Sequence, residues 1–445
     1  MRKNKVDIIT LGCSKNLVDS EQLMRQFVAN GYTVEHDPHK INGEIVVVNT
    51  CGFIHDAKEE SIETILEMAE YKKTGKCISL IVTGCLAQRY RQEILDEIPE
   101  VDEVLGTTAY DKILDAVDRA LEGEQGIILS DLNALPVSGA KRLVTTGGHF
   151  AYLKIAEGCD KHCTYCIIPK IRGNFRSVPM ERLIKEAKEL AEQGVKELIL
   201  VAQETTLYGK DLYGEKCLHR LVEELCKIAG IRWIRILYCY PEEITDELIE
   251  VIKKEPKVCH YLDLPIQHAS DSILKRMGRR TSKQELTDIV KKLRKEIPDI
   301  CLRTTLITGF PGETEDQHEE LMQFVDEMEF DRLGVFTYSP EEDTPAAVMP
   351  DQIAEEVKEE RQADLMELQQ EIAFDNAENM IGREMLVMIE GKVADENAYV
   401  GRTYRDAPNV DGLIFINTEE ELISGDFAKV KITGALEYDL IGELL

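Results

Sequence analysis

The chain has 445 residues, with 53 Lys or Arg against 83 Asp or Glu and a formal net charge of −30. Its length suits two to four domains, each able to bury a core, and 43% hydrophobic with 31% charged residues describes an ordinary globular protein. The negative charge argues against nucleic acid as the main partner and for basic proteins, although acidity also serves solubility alone. No apolar run approaches the roughly 18 residues of a membrane span. The basic start leads into a stretch, 6–11, that is interrupted by Asp7 and lacks a secretory apolar core, so a cytoplasmic location is expected.

Residues 7–11, 44–49 and 79–83 are short β-branched runs, each leading into an amphipathic stretch at 19–30, 56–71 and 88–98. This alternation predicts a parallel sheet covered by helices, a three-layer α/β unit over residues 1–130. A break rich in Gly, Ser and Thr reads as a linker over 131–148. From 149 to 380 the alternation resumes. Strands are expected at 151–156, 197–202, 233–238, 260–265, 301–308 and 332–338. Helices are expected at 179–193, 218–229, 245–254 and 283–296, followed by a polar helix at 351–380. Such repeated β/α units suit a partial TIM-like barrel, whose chemistry gathers at the carboxyl ends of the strands. Residues 381–445 change character. Short strands at 385–389, 398–400, 413–416, 427–432 and 436–440, separated by Gly, Asn and Asp, predict a small antiparallel β-barrel of the OB-like kind. The fold class is therefore α/β with a C-terminal β-barrel.

Twelve cysteines in a reducing compartment are not expected to pair as disulfides. Cys77, Cys217, Cys226, Cys239, Cys259 and Cys301 read as small core residues. Cys159, Cys163 and Cys166 form a CxxxCxxC run just past the first strand of the barrel region. Thiolates so spaced sit on one loop and can face one metal centre. Iron–sulfur cubanes take a thiolate on each iron, so three thiolates without a fourth leave one iron open to substrate or cofactor, as in catalytic rather than closed structural sites. The alternative is a structural zinc completed by His162, which would have to turn back from beside Cys163. Cys13, Cys51 and Cys85 each stand just after an N-terminal strand, beside Gly12, Gly52 and Gly84. In a parallel sheet these positions share the edge where ligands bind, and glycine lets backbone approach a bulky group. A second cluster with an open iron is expected, against the alternative of three unrelated buried thiols.

The CxxxCxxC loop, with Tyr165 before its last Cys, resembles that of the radical S-adenosylmethionine (SAM) enzymes. With the N-terminal trio and the C-terminal barrel, the whole chain is similar to the methylthiotransferases: an N-terminal methylthiotransferase domain, a radical SAM core and a TRAM domain. The runs Gly12–Glu21 (GCSKNLVDSE), Asn49–Ile54 (NTCGFI) and Gly84–Tyr90 (GCLAQRY) resemble the members acting on small-subunit ribosomal protein S-twelve, and YLDLPIQH (261–268) and TGFPGET (308–314) fit the core pattern. The resemblance implies two 4Fe-4S clusters held by the two trios and SAM as cofactor. The first cluster would cleave SAM to a 5′-deoxyadenosyl radical, and the second would deliver a methylated sulfur to the β-carbon of an aspartyl residue. It also implies a reductant such as flavodoxin or ferredoxin, and a protein substrate either free or within the 30S subunit; the sulfur donor is left open.

Further candidates around SAM follow from position. Tyr165 can set its ring against the adenine or simply pack. Gln203 and Glu204 follow the second barrel strand, where the polar ends of SAM need partners. Arg303 can pair with the SAM carboxylate or with a carboxylate inside the barrel. Gly309 and Gly312 can admit the ribose or adenine, or merely form a turn. His268 reads as structural. Relatives that modify a tRNA adenosine beside the anticodon are the competing reading, and a non-catalytic iron–sulfur carrier is a third. A carrier needs neither open irons nor a barrel. Residues 381–445 carry 13 acidic and 6 basic side chains, which suits a basic ribosomal protein rather than RNA. Tyr399, Tyr404 and Phe415 can serve as a stacking platform, but without supporting cations they read as strand residues, and direct RNA binding is not expected.

Overall fold

The runs Ile45–Thr50 and Ser79–Gly84 are buried at every position, as strands of a sheet covered on both faces must be. In the computed structural model, which describes residues 4–135, 142–394 and 396–445, they lie at the centre of a parallel sheet. Its strands are β1 (Lys5–Thr10), β2 (Thr33–His36), β3 (Ile45–Thr50), β4 (Ser79–Gly84), β5 (Glu103–Leu105) and β6 (Gly126–Ile128), in the order β2-β1-β3-β4-β5-β6. Helices α1 (Ser14–Ala29) and α4 (Ile113–Leu121) pack Leu23, Phe27 and Val117 on one face, while α2 (His55–Lys73) and α3 (Cys85–Glu97) pack Ile65, Met68 and Ile94 on the other. The helix expected at 19–30 starts instead at Ser14. Its first turns bury Asn16, Asp19, Ser20 and Glu21, polar residues that hide the apolar period on which the sequence reading relied. Of the expected linker, residues 136–141 lie outside the described residues.

A second sheet contains β7 (Phe150–Lys154), β10 (Glu197–Val201), β11 (Trp233–Ile236), β12 (Val258–Gln267), β13 (Cys301–Thr308) and β14 (Arg332–Thr337). Between its first two strands lies a small ladder of β8 (Ala156–Glu157) and β9 (Arg176–Ser177). The six long strands are parallel and stand in sequence order from β7 to β14, giving an open, partial barrel. Its helices in chain order are α5 (Ile168–Arg172), α6 (Met180–Glu192), α7 (Lys210–Tyr213), α8 (Leu218–Cys226), α9 (Asp246–Lys254), α10 (Asp271–Arg276), α11 (Lys283–Glu296), α12 (Glu315–Met328) and α13 (Glu355–Glu378). One large apolar core, from Leu153 through Leu262 to Leu365, fills the space between strands and helices. All six cysteines read as core residues are buried.

The chain ends in a closed barrel of β15 (Glu384–Lys392), β16 (Ala398–Arg402), β17 (Ile414–Asn417), β18 (Phe427–Leu436) and β19 (Asp439–Leu444). Two details differ from expectation. Strand β18 continues to Leu436 and the turn falls at Glu437, whose φ is +40°, so the last strand begins at Asp439 rather than 436. Strands β17 and β19 pair in parallel, although the other four pairings are antiparallel.

Candidate active site

Register brings the N-terminal trio together. Asn49 pairs with both Thr10 and Thr83, and Thr50 with Gly84, so Cys51 and Cys85 leave neighbouring strands side by side. Cys13 caps α1 and Cys85 opens α3. The free N–H groups and dipoles of these helix starts favour negative charge at that edge. The glycines serve a different purpose from the one expected. At Gly84, with φ +93°, a Cβ would lie 2.4 Å from the Thr50 carbonyl oxygen, and at Gly12, with φ +87°, 2.9 Å from Cys51 Sγ. They let the three chain ends close on each other rather than on a bound group. Burial pushes the Cys51 thiol up to about 12, and the nearby Cys85 and Cys13 add to it; burial also raises Cys85, against the pull of Arg172.

The second trio lies on the loop after β8. Gly158, with φ +80°, makes the turn into it, where a Cβ would sit 2.1 Å from the Asn174 carbonyl oxygen. Thr164 pins the loop to the end of α10, its N–H donating to Met277 O at 2.9 Å and its hydroxyl to Arg276 O at 2.8 Å. Burial pushes Cys159 up to about 12, and burial with Cys163 beside it raises Cys166. His162 is exposed, with a φ of +53°. Among the described residues no three His, Cys, Asp or Glu side chains stand close enough to share a single metal ion. A cubane takes each protein ligand on a different iron, so the thiols of a trio need not meet at a single ion. The two trios meet through α5: Ile167 and Ile171, just past Cys166, pack on Cys85 and Phe53.

The remaining candidates divide. Gln203 accepts from Gly158 N at 2.9 Å and donates to Glu157 at 2.7 Å, holding the strand that leads into the cluster loop. Glu204 is buried, with one oxygen bonded to Thr206 N at 2.8 Å, while the other has no hydrogen-bond partner and faces Lys161 Nζ at 4.0 Å. Burial pushes its pKa up to about 7, with Thr206 and Lys161 pulling the other way. Tyr165 packs edge-on against Phe310, with ring centroids 6.5 Å apart. Arg303 is engaged by Asp263 at 2.9 Å and Asp411 at 3.4 Å, the barrel salt bridge weighed for it above. The space at Gly309 is taken by Lys358 and that at Gly312 by Arg276, whose atoms a Cβ would meet at 2.3 Å in each case. His268 is buried, its Nδ1 accepting from Ser270 N at 2.9 Å and its Nε2 lying 3.3 Å from Glu313.

One residue that the sequence does not single out lies beside the cluster loop. Arg279 is buried, its guanidinium 4.2 Å from the Tyr240 ring centroid, and the Tyr240 hydroxyl lies 3.5 Å from Cys163 Sγ. One of its N–H groups donates to Pro265 O at 2.9 Å, but Nε and Nη1 have no partner. Buried polar groups are normally satisfied. A cationic donor and a carboxylate oxygen that both lack hydrogen-bond partners beside one cysteine loop suit the two charged ends of an amino-acid moiety such as that of SAM. Arg279 is followed by Arg280, and paired arginines read as solvated charge; Gly278 before them was the available signal.

A model of the radical SAM superfamily matches residues 153–325, one described as an uncharacterized protein family, UPF0004, matches 5–106, and a TRAM domain model matches 381–445. Over 438 residues the chain is 64% identical to the ribosomal protein uS12 methylthiotransferase RimO of Lachnoclostridium phytofermentans, covering 98% of this chain and 99% of that one. The chain belongs to the RimO family. The RimO of Clostridium perfringens is 52% identical over 443 residues, covering 99% of this chain and 98% of that one. Among solved structures, the radical S-adenosylmethionine methyltransferase TsrM from Kitasatospora setae, with cobalamin and a [4Fe-4S] cluster bound, aligns over 77% of each chain with a TM-score of 0.56 and 14% identity, a likeness of fold.

In this RimO-family chain the C-terminal barrel closes the end of the partial barrel away from the cysteines. Its β16–β17 loop inserts among the strand starts: Arg402 donates to Glu197 at 2.7 Å, Tyr261 to Asp411 at 2.7 Å and Arg332 to Asp406 at 2.6 Å. Tyr399 is buried in the core of its own barrel and the Tyr404 hydroxyl donates to Asp299 O at 2.9 Å. Neither forms an open stacking face.

Proposed function

We propose that this protein is a radical SAM methylthiotransferase that modifies an aspartyl residue of ribosomal protein uS12, at its β-carbon. The observation that carries the reading is the pair of thiol trios, each at the carboxyl edge of its own parallel sheet and joined through α5. Cys159, Cys163 and Cys166 would hold one 4Fe-4S cluster, and Cys13, Cys51 and Cys85 the other. When bound, the clusters and SAM supply what side chains lack, one-electron cleavage of SAM to a hydrogen-abstracting radical and a sulfur for transfer.

The chain's own residues bind, orient and enclose. Glu204 would hold the ammonium end of SAM and Arg279 its carboxylate, with Gln203 fixing the Gly158 turn beneath them. Tyr165 and Phe310 form the apolar wall beside the cluster loop. Arg303, Gly309 and Gly312 support this frame from the protein side, through their contacts with Asp263, Lys358 and Arg276. Three units are proposed: 1–130 for the N-terminal trio, 149–380 for the core and 381–445 for the barrel, with 131–148 as linker. A reductant such as flavodoxin or ferredoxin goes with this chemistry, and a cytoplasmic setting with this substrate. No helix among the described residues is long and apolar enough to cross a membrane. A tRNA substrate is not favoured, because the acidic 381–445 barrel repels phosphate.

Mass spectrometry of uS12 and of total tRNA nucleosides from cells lacking the gene tests the reading. Loss of the methylthio group from uS12 with unchanged nucleosides is expected. The reverse result would overturn it.

A further inference from the structure

Elements that carry ligands of both trios contribute to one buried polar network. Helix α1, headed by Cys13, supplies Asn16 and Asp19. The end of β7 supplies Lys154, β8 just before Cys159 supplies Glu157, and α5, which follows Cys166, supplies Arg172. All five are buried. Arg172 is the hub. Its Nη1 donates to Asp19 at 2.8 Å and to Glu157 at 3.4 Å, Nη2 donates to Asn16 Oδ1, and Nε donates to Cys85 Sγ at 3.4 Å. Lys154 completes the balance of charge, donating to Glu157 at 2.7 Å and also pairing with Asp19. The network thus holds two cations and two anions. A buried guanidinium held on several sides has little freedom to rotate, so the N–H aimed at sulfur is fixed by residues of both units, Asn16 and Asp19 on α1 and Glu157 on β8.

We infer that Arg172 is a positioning residue for the cluster of Cys13, Cys51 and Cys85, donating to the Cys85 sulfur and raising that cluster's reduction potential from an anchorage beside the other trio. The inference rests on the assignment of a cluster to these three cysteines. Hydrogen bonds to ligand sulfurs and nearby positive charge stabilise the more negative, reduced form of a cluster. An arginine fixed between Asp19 on the N-terminal side and Glu157 on the core side makes that stabilisation depend on how the two units are docked. The cluster that handles sulfur is then tuned only when it faces the site that handles SAM.

The test uses the full-length chain with Cys159, Cys163 and Cys166 changed to Ala, so that only the N-terminal cluster is loaded anaerobically. Redox titration followed by electron paramagnetic resonance compares this parent with added Arg172→Gln and Arg172→Lys. The expected result is a midpoint potential moved to more negative values in the Gln variant, with the Lys variant between it and the parent. An unchanged midpoint at the parent's iron content overturns the inference while leaving the cluster assignment intact. A parent that takes up no iron overturns both. Should the Gln variant fail to hold iron, the parent grown with guanidino-¹⁵N arginine decides the matter by pulsed resonance. A ¹⁵N coupling to the reduced cluster, absent from the Lys variant, supports the inference, and its absence from the parent overturns it.

Discussion

Arg402, the last residue of β16, donates to Glu197, the first residue of β10, at 2.7 Å, and both are almost fully buried. Glu197 also accepts from Arg235 at 2.8 Å. Burial works against its ionised form, but the two guanidinium groups outweigh it and hold the carboxyl below the ordinary range. Breaking a buried pair from one side leaves an uncompensated charge and costs about 3–5 kcal/mol. Arg402→Ala is therefore expected to lower stability by that order, read as a shifted urea midpoint. The depressed pKa adds a pH dependence: this stabilisation is present above the unfolded carboxyl value and is lost as pH falls through the lower folded one. A change below about 1 kcal/mol would show that the barrel floor does not bear on stability.

The proposed assignment gives the two trios separable roles. Cys163→Ala is expected to abolish 5′-deoxyadenosine formation by the reconstituted, reduced protein. Cys85→Ala is expected to keep it while losing methylthio transfer to uS12. Chromatography of the nucleoside and mass spectrometry of the protein check both, and parallel loss in the two variants contradicts the division.

In its proposed role Glu204 would set a pH dependence for SAM binding. With burial pushing its pKa up to about 7, the carboxyl is mostly neutral at pH 6 and mostly charged at pH 8, and only the charged form pairs with an ammonium. SAM affinity, measured by calorimetry on cluster-loaded protein, should rise up to about tenfold across that interval. In Glu204→Gln the rise should be absent. Its persistence would remove Glu204 from the site.

Glu341, just past β14, accepts from Lys58 of α2 and from Arg89 of α3, each at 2.8 Å. It is buried, and it ties the N-terminal unit to the open side of the partial barrel. Glu341→Ala leaves two cations without their shared partner. Faster amide exchange at the starts of α2 and α3 is expected, with exchange in β10–β12 unchanged. Uniform acceleration across the chain would indicate general destabilisation instead.

Much of this protein was written in local pattern. The strand–helix alternation, the CxxxCxxC spacing and the placement of Cys13, Cys51 and Cys85 after strands are short-range features, and short-range features are what a linear chain displays. The sheet then did the rest for these cysteines, because parallel register puts strand ends at one edge. What only the tertiary structure decided is how buried charge is satisfied. Nothing around Arg303 names Asp411, nothing around Gly309 names Lys358, and nothing in GRR (278–280) says that Arg279 is buried with donors to spare. Helix α1 was placed late for the same reason, since Asn16 and Asp19 are polar residues facing inward toward Arg172. A charge leaves water only when partners from distant segments arrive together, and that coincidence has no spacing along the chain.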